Sequence, residues 1–317
     1  MNKNLLTYKQ RKRLLNGIWA IVRQVFMLGI SYVVLYPLLY MISNAFKPVE
    51  QYFDPSVIWI PKSLTLDNFY IVTLVMDIKT VMLNTLVISV IPALISTTIC
   101  MMIGYGLARF DFRGKKLVLA CLVLTIIVPQ QTISTSLYSS FRYFDFLGIL
   151  ELLNIPTPNL IGTAWVTNLP ALLGVGLKSG IYIFIYMQFF AGLPRELQEA
   201  AAIDGCGAFR TYLKIVVPTA RNINIAVLLL SLVWNWNDYY TPAMFIRTKD
   251  TIATAMASFQ ANLQNLHNMG TGIGNIQTAN TQIQAACLIA IVPLIILYIF
   301  LQKRFAEGIE NSGLTGL

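Results

Sequence analysis

Residue types that could support catalysis are scarce in this sequence and form no recognisable constellation. His267 is the only histidine, which excludes zinc sites built on paired histidines and weakens any Ser-His-Asp arrangement. Gly114-Lys115 is followed by Lys116 rather than by Ser or Thr, and no strand pattern precedes it, so it indicates a basic turn rather than a phosphate-binding loop. The glycines of segment 270–274 lie among Asn and Gln residues and do not indicate a dinucleotide site. We therefore expect a chain that is not an enzyme and that binds no metal or cofactor.

The segment 194–218 is more informative, because its pattern predicts two short helices joined by a glycine turn. Glu199 lies close to the positive N-terminal end of the first helix dipole. Gly205 and Gly207 are expected to end that helix, since glycine tolerates the left-handed conformation that closes a helix. Pro218 is expected to end the second helix.

The two predicted helices carry small and apolar side chains. Ala200 to Ala202 keep the surface of the first helix low, so that another body can approach it closely. Phe209, Tyr212 and Leu213 share one face of the second helix at i, i+3, i+4 spacing. Periodicity alone favours a simpler interpretation, an amphipathic pair lying on a membrane surface.

The elements that position this segment are membrane spans. Hydrophobic residues make up 56% of the chain and charged residues 12%, whereas a soluble domain carries roughly a quarter charged residues. Apolar runs long enough to cross a ~30 Å hydrocarbon layer occur at 24–46, 80–108, 117–141, 170–193, 222–246 and 283–302. The sequence predicts an all-α polytopic membrane protein of about six transmembrane helices, a single domain over 1–317 with its core at 80–303. The first run is too long for a cleaved signal peptide, so we expect it to be retained.

Basic residues predict the orientation of these spans. Segment 1–23, the turn after the second span, the segment 194–218 and the last residues are rich in Lys and Arg, and six spans place all four on one side. That side is predicted to be cytoplasmic, with both termini, and the protein is predicted to lie in a bacterial cell membrane. The net charge of +9 then reflects topology, and nucleic-acid binding is a poor explanation for it.

Two ionisable residues interrupt the apolar runs and are functional candidates for that reason. Lys178 precedes Arg195, and Asp238 follows Arg221, by the same number of residues. At 1.5 Å per residue both would lie about 25 Å from the cytoplasmic ends of their helices, near the outer edge of the hydrocarbon. We hypothesise that they face the interior and approach one another. The alternative is that Lys178 extends to the outer interface and Asp238 hydrogen-bonds locally.

Polar and aromatic residues alternate around Asp238, a mixture that suits a carbohydrate path because sugars need both flat apolar faces and directional hydrogen bonds. The substrate-path candidates are Lys178, Trp234, Asn235, Asn237, Asp238 and Tyr239. An interfacial aromatic belt is the alternative, although it explains the Asn and Asp residues less well. Further interior polar candidates, for which hydrogen bonding between helices is the simpler role, are Asn84, Gln130 and Gln131.

The segment 194–218 resembles the EAA loop of ABC importer permeases, whose pattern is EAA---G---------I-LP. The matching positions here are Glu199, Ala200, Ala201, Gly205, Ile215 and Pro218, and Val217 stands where the family usually has Leu. The resemblance implies that this segment is the helix that docks on a separate ATPase. The residues assigned to that coupling are Glu199, Ala200, Ala201, Asp204, Gly205, Ile215 and Pro218.

Other segments resemble carbohydrate-importer permeases of the maltose type, and within that family the chain is most similar, by general likeness, to the permeases of complex-oligosaccharide importers. The segments are 104–114, 188–190, 236–238 and 302–308. The resemblance implies a second homologous permease, a pair of ATPase subunits that use ATP and Mg²⁺, and an extracellular solute-binding protein that docks on the outer loops 47–79 and 259–284. The expected cargo is a carbohydrate, an oligosaccharide in particular.

Three alternatives remain open on the sequence. The first is an importer for another polar solute, such as a glycerophosphodiester. The second is a secondary transporter driven by an ion gradient, for which we find no convincing internal repeat and which would leave the EAA-like segment without a purpose. The third is a membrane-embedded enzyme, which the missing constellation of titratable groups disfavours.

Overall fold

The computed structural model describes residues 8–145, 147–270 and 279–311, and within these ranges the chain consists of helices and turns without a strand. The predicted all-α class is confirmed. The chain divides into two compact units, described separately below: a first unit of residues 1–75 and 260–289, and a second unit of residues 76–259 and 290–317.

The α-helices, numbered along the chain, are α1 (Tyr8–Ala45), α2 (Asp67–Met76), α3 (Ile78–Arg109), α4 (Lys115–Ile127), α5 (Ser134–Arg142), α6 (Ile149–Leu152), α7 (Trp165–Leu172), α8 (Ser179–Ala191), α9 (Glu196–Ile203), α10 (Ala208–Thr211), α11 (Val217–Thr219), α12 (Arg221–Trp236), α13 (Ile252–Asn268) and α14 (Ala279–Asn311). Two π-helical segments, Tyr212–Val216 and Pro242–Ile246, lie between them.

In the first unit, one buried asparagine fixes the C-terminal end of α1. The side-chain amide of Asn68 donates to the carbonyl oxygens of Ala45 (3.0 Å) and Lys47 (2.9 Å). Its Oδ1 accepts a hydrogen bond from Thr281 Oγ1 (3.1 Å). These bonds satisfy carbonyl groups that the end of a helix leaves without a partner, so the end of α1 is held in place.

In the second unit, α3 packs against α7, α8 and α12. The approach of α3 to α8 depends on Gly104, because a Cβ atom there would lie 2.6 Å from the Cβ of Tyr186 and 3.0 Å from the carbonyl oxygen of Ile183. At 1.5 Å per residue α3 is about 48 Å long, more than the ~30 Å of a hydrocarbon core. Positions of other residues in this unit are therefore given below as distances along α3.

Three predicted spans correspond to single long helices. The runs 24–46, 80–108 and 283–302 fall on Arg11–Ala45, Ile78–Arg109 and Ala279–Gly308, each of which is long and apolar enough to cross a membrane. Polytopic architecture is confirmed on this basis.

The other three predicted spans are interrupted. The run 117–141 contains α4 and α5, whose pair of helical segments is bent by 98°. The run 170–193 contains the end of α7 and then α8, and the run 222–246 contains α12 and the second π-helical segment. Among the described residues, up to five crossings are counted if each bent pair forms one span, and α8 is shorter, about 20 Å. Pro129 lies in the break between α4 and α5, and the left-handed Gly174 and Lys178 lie in the break between α7 and α8.

Candidate functional site

The first helix of the EAA-like segment is α9, and a complete Schellman motif ends it. Gly205 N donates to the Ala202 carbonyl oxygen (3.1 Å) and Cys206 N donates to that of Ala201 (2.9 Å). Gly205 has a φ of +74°, in the left-handed region, as predicted. Glu199 lies in the first turn of α9, where a negative charge is favourable.

The second helix differs from the prediction at both ends. Gly207 does not end α9; it is the N-cap of α10, with φ −68° and ψ 163°. From Ala208 to Thr219 the chain is one helical stretch, which then bends by 77° into α12. Pro218 lies inside the last turn of this stretch rather than after it, and the π-helical segment before it keeps Val217 N bonded to the carbonyl oxygen of Tyr212. In an ordinary α-helical turn the proline ring would clash with the carbonyl group four residues earlier. The wider hydrogen-bonding pattern of a π-helical turn changes the position of that carbonyl group.

One hydrogen bond ties α9 to the Arg109 end of α3, and a second ties Leu193, the residue just before the segment, to the same end. Gln198 Nε2 donates to Tyr105 Oη (2.9 Å), and the Arg109 guanidinium donates to the carbonyl oxygen of Leu193 (2.6 Å). The ring of Tyr105 also lies 5.3 Å, centroid to centroid, from that of Tyr212. Both helices of the segment therefore contact the same residue of α3, so that a displacement of either one acts on α3.

The sequence did not identify these tethering residues. Tyr105 and Arg109 lie within 104–114, a segment already similar to importer permeases, and their spacing of four residues places them on one face of α3. That spacing was the available signal. Gln198 carried no signal of its own.

The two helices expose apolar side chains. Ile203 is 86% exposed, Phe209 69% and Leu213 49%. Of the three alanines, Ala201 is buried (3% exposed), whereas its two neighbours are exposed. The exposed surface formed by α9, α10 and their turn is called the tip surface below.

All seven predicted coupling residues belong to this two-helix element, but they differ in exposure. The exposed ones are Glu199, Ala200, Asp204, Gly205 and Pro218; Ile215 is partly buried and Ala201 is buried. The sequence pattern therefore combines positions that shape the helices with positions that face outward.

The turn between α3 and α4 is fixed by an ion pair. Lys115 Nζ lies 3.0 Å from Asp111 Oδ1 and 3.1 Å from the carbonyl oxygen of Phe110. The hydrogen bond from Lys115 holds the pKa of the exposed Asp111 carboxyl below its usual range. This turn adjoins Arg109, so it stabilises the end of α3 to which the two-helix element is tied.

Lys178 lies at the start of a short helix rather than inside a continuous span, and its predicted depth in the membrane stays a prediction. Lys178 lies immediately before α8 with a left-handed φ of +59°. The next residue, Ser179, accepts a hydrogen bond from Cys100 Sγ through its carbonyl oxygen (3.7 Å). Cys100 is about 14 Å along α3 from Arg109 at 1.5 Å per residue, so Lys178 lies beside the part of α3 that is closer to Arg109 than to Ile78.

The predicted pairing of Lys178 with Asp238 is not found. Lys178 Nζ lies 4.7 Å from the centroid of the Trp234 ring, a cation–π contact. Asp238 Oδ1 accepts from Thr241 N (3.2 Å) and so caps the helical turn that follows. Asp238 therefore makes the local hydrogen bond that was the alternative interpretation. Lys178 instead contacts Trp234, which precedes Asp238 by about one helical turn.

The remaining path candidates bond mainly to their own helix. Asn235 Nδ2 donates to the carbonyl oxygen of Ser231 (2.8 Å), and Asn237 Nδ2 donates to that of Val233 (2.9 Å). The side chains of Trp234 and Tyr239 are about half exposed. Asn84 donates to the carbonyl oxygen of Asp250 (3.1 Å), whereas Gln130 and Gln131 begin a short 3₁₀ turn between α4 and α5.

Within residues 8–145, 147–270 and 279–311, no group of three or more His, Cys, Asp or Glu side chains is placed to hold a metal ion.

Comparison with known proteins identifies the family. Residues 96–311 match the family described as the binding-protein-dependent transport system inner membrane component. The arabinooligosaccharides transport system permease protein AraQ of Halalkalibacterium halodurans is 28% identical, with 90% of this chain and 93% of the relative covered. The probable starch degradation products transport system permease protein AmyC of Thermoanaerobacterium thermosulfurigenes is 26% identical, with 86% and 89% covered. The maltodextrin transport system permease protein MalD of Streptococcus pneumoniae is 28% identical, with 92% and 94% covered.

The fold is also similar to a solved structure. A chain from the crystal structure of a bacterial ABC transporter involved in the import of the acidic polysaccharide alginate matches with a TM-score of 0.71 and 17% identity, covering 96% of this chain and 100% of that chain. Helical architecture, apolar spans and the family match agree with one another. The chain belongs to the binding-protein-dependent transport system inner membrane components, and it is a multi-pass membrane permease subunit of an ABC importer rather than an enzyme.

Proposed function

We propose that this chain receives mechanical work from a separate ATPase through the tip surface and uses it to import a carbohydrate. The observation that carries the first part is the exposure of Ile203, whose apolar side chain stands almost fully free at the turn between two short helices. Exposed apolar groups of this kind mark interaction sites. Alanines beside it leave room for a partner to approach.

The contacts of the two-helix element support transmission of movement. A partner that shifts α9 also shifts Gln198, and through Tyr105 it acts on α3. The close packing of Gly104 against α8 then couples α3 to a second helix. Packed interiors respond to such displacements as rigid bodies, since they have few voids to absorb them. Differential affinity of the ATPase for two arrangements of these helices would drive alternating access.

The proposed partners follow from this mechanism and from the family. The ATPase pair binds ATP and Mg²⁺, so this chain needs no cofactor of its own. A second, homologous permease completes the pathway, and an extracellular solute-binding protein delivers the cargo to the face opposite the tip surface. Both termini are then cytoplasmic, in agreement with the basic residues at each end.

A carbohydrate is the proposed cargo, and an oligosaccharide in particular. Relatives that match over most of their length have names that specify arabinooligosaccharides, starch degradation products and maltodextrin. Half-exposed aromatic rings at Trp234 and Tyr239 offer flat faces of the kind on which sugar rings stack.

The docking proposal is tested with matched charge insertions. Ile203→Glu places a carboxylate in the tip surface, and Leu152→Glu places one at a side chain of similar exposure, 82%, in α6. We expect Ile203→Glu to abolish co-purification of the ATPase while Leu152→Glu leaves it intact. Equal retention of the ATPase by both variants would refute docking at the tip surface.

The cargo proposal is tested by uptake into vesicles that contain the assembled importer. Maltotriose, arabinotriose, trigalacturonate and glycerophosphocholine are supplied separately with the cognate binding protein. Uptake of at least one oligosaccharide is expected. Uptake of glycerophosphocholine alone would overturn the carbohydrate assignment.

A further inference from the structure

The second unit has an open surface pocket of about 340 Å³, called the cavity below, that none of the predicted path residues lines. Thr135 and Tyr138 of α5 form one wall, and Ala243, Met244 and Arg247 form the other. Small-molecule sites have volumes of roughly 300–1,000 Å³, so this cavity has room for a single sugar unit. It combines hydroxyl groups, an aromatic ring, apolar atoms and a guanidinium.

The cavity lies at the end of α3 opposite the tip surface. Phe141 and Phe245, the neighbours of its walls, pack in one cluster with Ile88. Ile88 is about 25 Å along α3 from Tyr105, to which Gln198 of the two-helix element is hydrogen-bonded. If the tip surface faces the cytoplasm, as proposed above, the cavity lies towards the side from which the cargo arrives.

The wall that carries Arg247 has an unusual backbone. Pro242–Ile246 is a π-helical segment, and Arg247 follows it with a φ of +43°, a region that non-glycine residues seldom adopt. Hydrogen bonds hold this conformation: Arg247 N donates to the Pro242 carbonyl oxygen (3.1 Å), and Gly162 N donates to that of Phe245 (2.8 Å). Strained backbone and π-helical turns recur at functional sites, where they aim particular side chains.

The aromatic ring of the other wall is supported from behind. Phe245 lies 6.1 Å from Tyr138 in a stacked arrangement and 5.5 Å from Phe141 edge to face. Phe141 and Phe245 are both almost fully buried. The ring of Tyr138 is therefore positioned before any ligand arrives, which lowers the entropic cost of binding.

The charge of the cavity has no counterion in the described parts of the chain. The ion pairs there are Lys62 with Asp54 and Lys115 with Asp111, so the exposed guanidinium of Arg247 contacts no carboxylate within 4 Å. Asp145, the acidic residue that follows α5, accepts backbone hydrogen bonds from Leu150 and Glu151 through its two oxygens instead. An unpaired guanidinium beside hydroxyl groups and a ring suits an anionic polyol.

We propose that this cavity is a carbohydrate subsite that takes a uronate unit, a sugar ring bearing a carboxylate, from an acidic oligosaccharide. The Arg247 guanidinium pairs with the carboxylate, for which its planar fork is suited. Thr135 and Tyr138 bond ring hydroxyls, and Met244 covers the apolar C–H face of the sugar. This inference rests on the proposed carbohydrate import and specifies its substrate class.

Uptake kinetics in vesicles with the complete importer and its binding protein test the subsite. Arg247→Asn removes the charge with a residue that tolerates a left-handed backbone, and Arg247→Gly removes it with one that favours this backbone, so neither should impair folding at this position. We expect both to raise the KM for trigalacturonate by roughly tenfold to a hundredfold, the range for loss of a charged hydrogen bond, and to leave the KM for maltotriose or arabinotriose unchanged. Lys249→Asn, which removes an exposed cation that does not line the cavity, is the matched control and should change neither KM.

The outcomes separate the subsite from the function on which it rests. If the wild-type importer takes up neutral oligosaccharides but not trigalacturonate, the subsite proposal is overturned and the proposed carbohydrate import stands. Uptake of none of the oligosaccharides would overturn both. An equal loss of neutral and acidic uptake in the two Arg247 variants would show a structural role and also refute the subsite.

A lipid phosphate could supply the same anion chemistry, so the assay is repeated in vesicles of phosphatidylcholine with and without phosphatidylglycerol. The effect of Arg247→Asn on trigalacturonate uptake should be the same in both. An effect confined to vesicles with phosphatidylglycerol would assign the guanidinium to lipid headgroups and overturn the proposal.

Discussion

Gly205→Ala should uncouple the importer by straining the end of α9. The φ of Gly205 is +74°, and a Cβ atom there would meet no heavy atom within 4 Å, so the cost is one of backbone conformation rather than of packing. A left-handed conformation costs an L-residue about 1–2 kcal/mol, which shifts the local equilibrium away from the closed Schellman turn by a factor of roughly 5–30. We expect ATP-driven uptake to fall by a comparable factor, while the amount of permease in the membrane is unchanged.

Two further variants provide the controls. Gly207→Ser changes another exposed glycine with open space around it, but its φ of −68° is normal for an N-cap, a position that serine prefers. Uptake should be unchanged or slightly higher. Gly205→Asn should fall between wild type and Gly205→Ala, because asparagine tolerates the left-handed region better than alanine. Wild-type uptake by Gly205→Ala would refute the role of this turn.

Three other predictions concern the packing, the tether and the charge at the same end of α3. Gly104→Ala places a Cβ 2.6 Å from the Cβ of Tyr186 in α8 and should lower the melting temperature through an overpacking cost of about 1–3 kcal/mol. Gly106→Ala is the control, because its Cβ would meet nothing within 4 Å, and it should not lower the melting temperature. Equal melting temperatures for the two variants would contradict the close packing of α3 against α8. Tyr105→Phe removes the acceptor of a hydrogen bond worth about 1 kcal/mol and should reduce ATP-driven uptake while the ATPase still co-purifies, and unchanged uptake would exclude the tether. The hydrogen bond from Lys115 lowers the pKa of Asp111, so its stabilisation is complete above the unfolded carboxyl pKa of about 3.9 and is lost as the pH falls through the lower folded value. The melting-temperature difference between wild type and Asp111→Asn should therefore shrink below about pH 4, and a difference independent of pH would refute this pairing.

The long helices could be predicted from the length and apolarity of their sequences. The breaks inside the other apolar runs could not be predicted in this way. The run 170–193 reads as one span, yet Gly174, with a φ of +73°, and the left-handed Lys178 separate α7 from α8. Hydropathy depends on composition and does not register backbone conformation, so the start of a separate helix after Lys178 was not predicted. The same limitation hid the break between α12 and the second π-helical segment.

At the candidate site, local chemistry was predictable and tertiary contacts were not. Gly205 closes α9 as its conformational freedom predicted. The π-helical segment before Pro218 was not predicted, because sequence patterns for such turns are weak. The hydrogen bond between Gln198 and Tyr105 joins positions far apart in the chain, and no periodicity within either helix indicates it.

The most direct test of ATP-driven import is uptake of a labelled oligosaccharide into vesicles that contain this permease and its homologous partner, with ATP and Mg²⁺ enclosed. The ATPase subunits and the binding protein are then omitted one at a time, and ion gradients are imposed in the absence of ATP. Uptake should require both the ATPase and the binding protein, and imposed ion gradients should not replace ATP. Uptake that persists without the ATPase, driven by a proton or sodium gradient, would contradict the central claim.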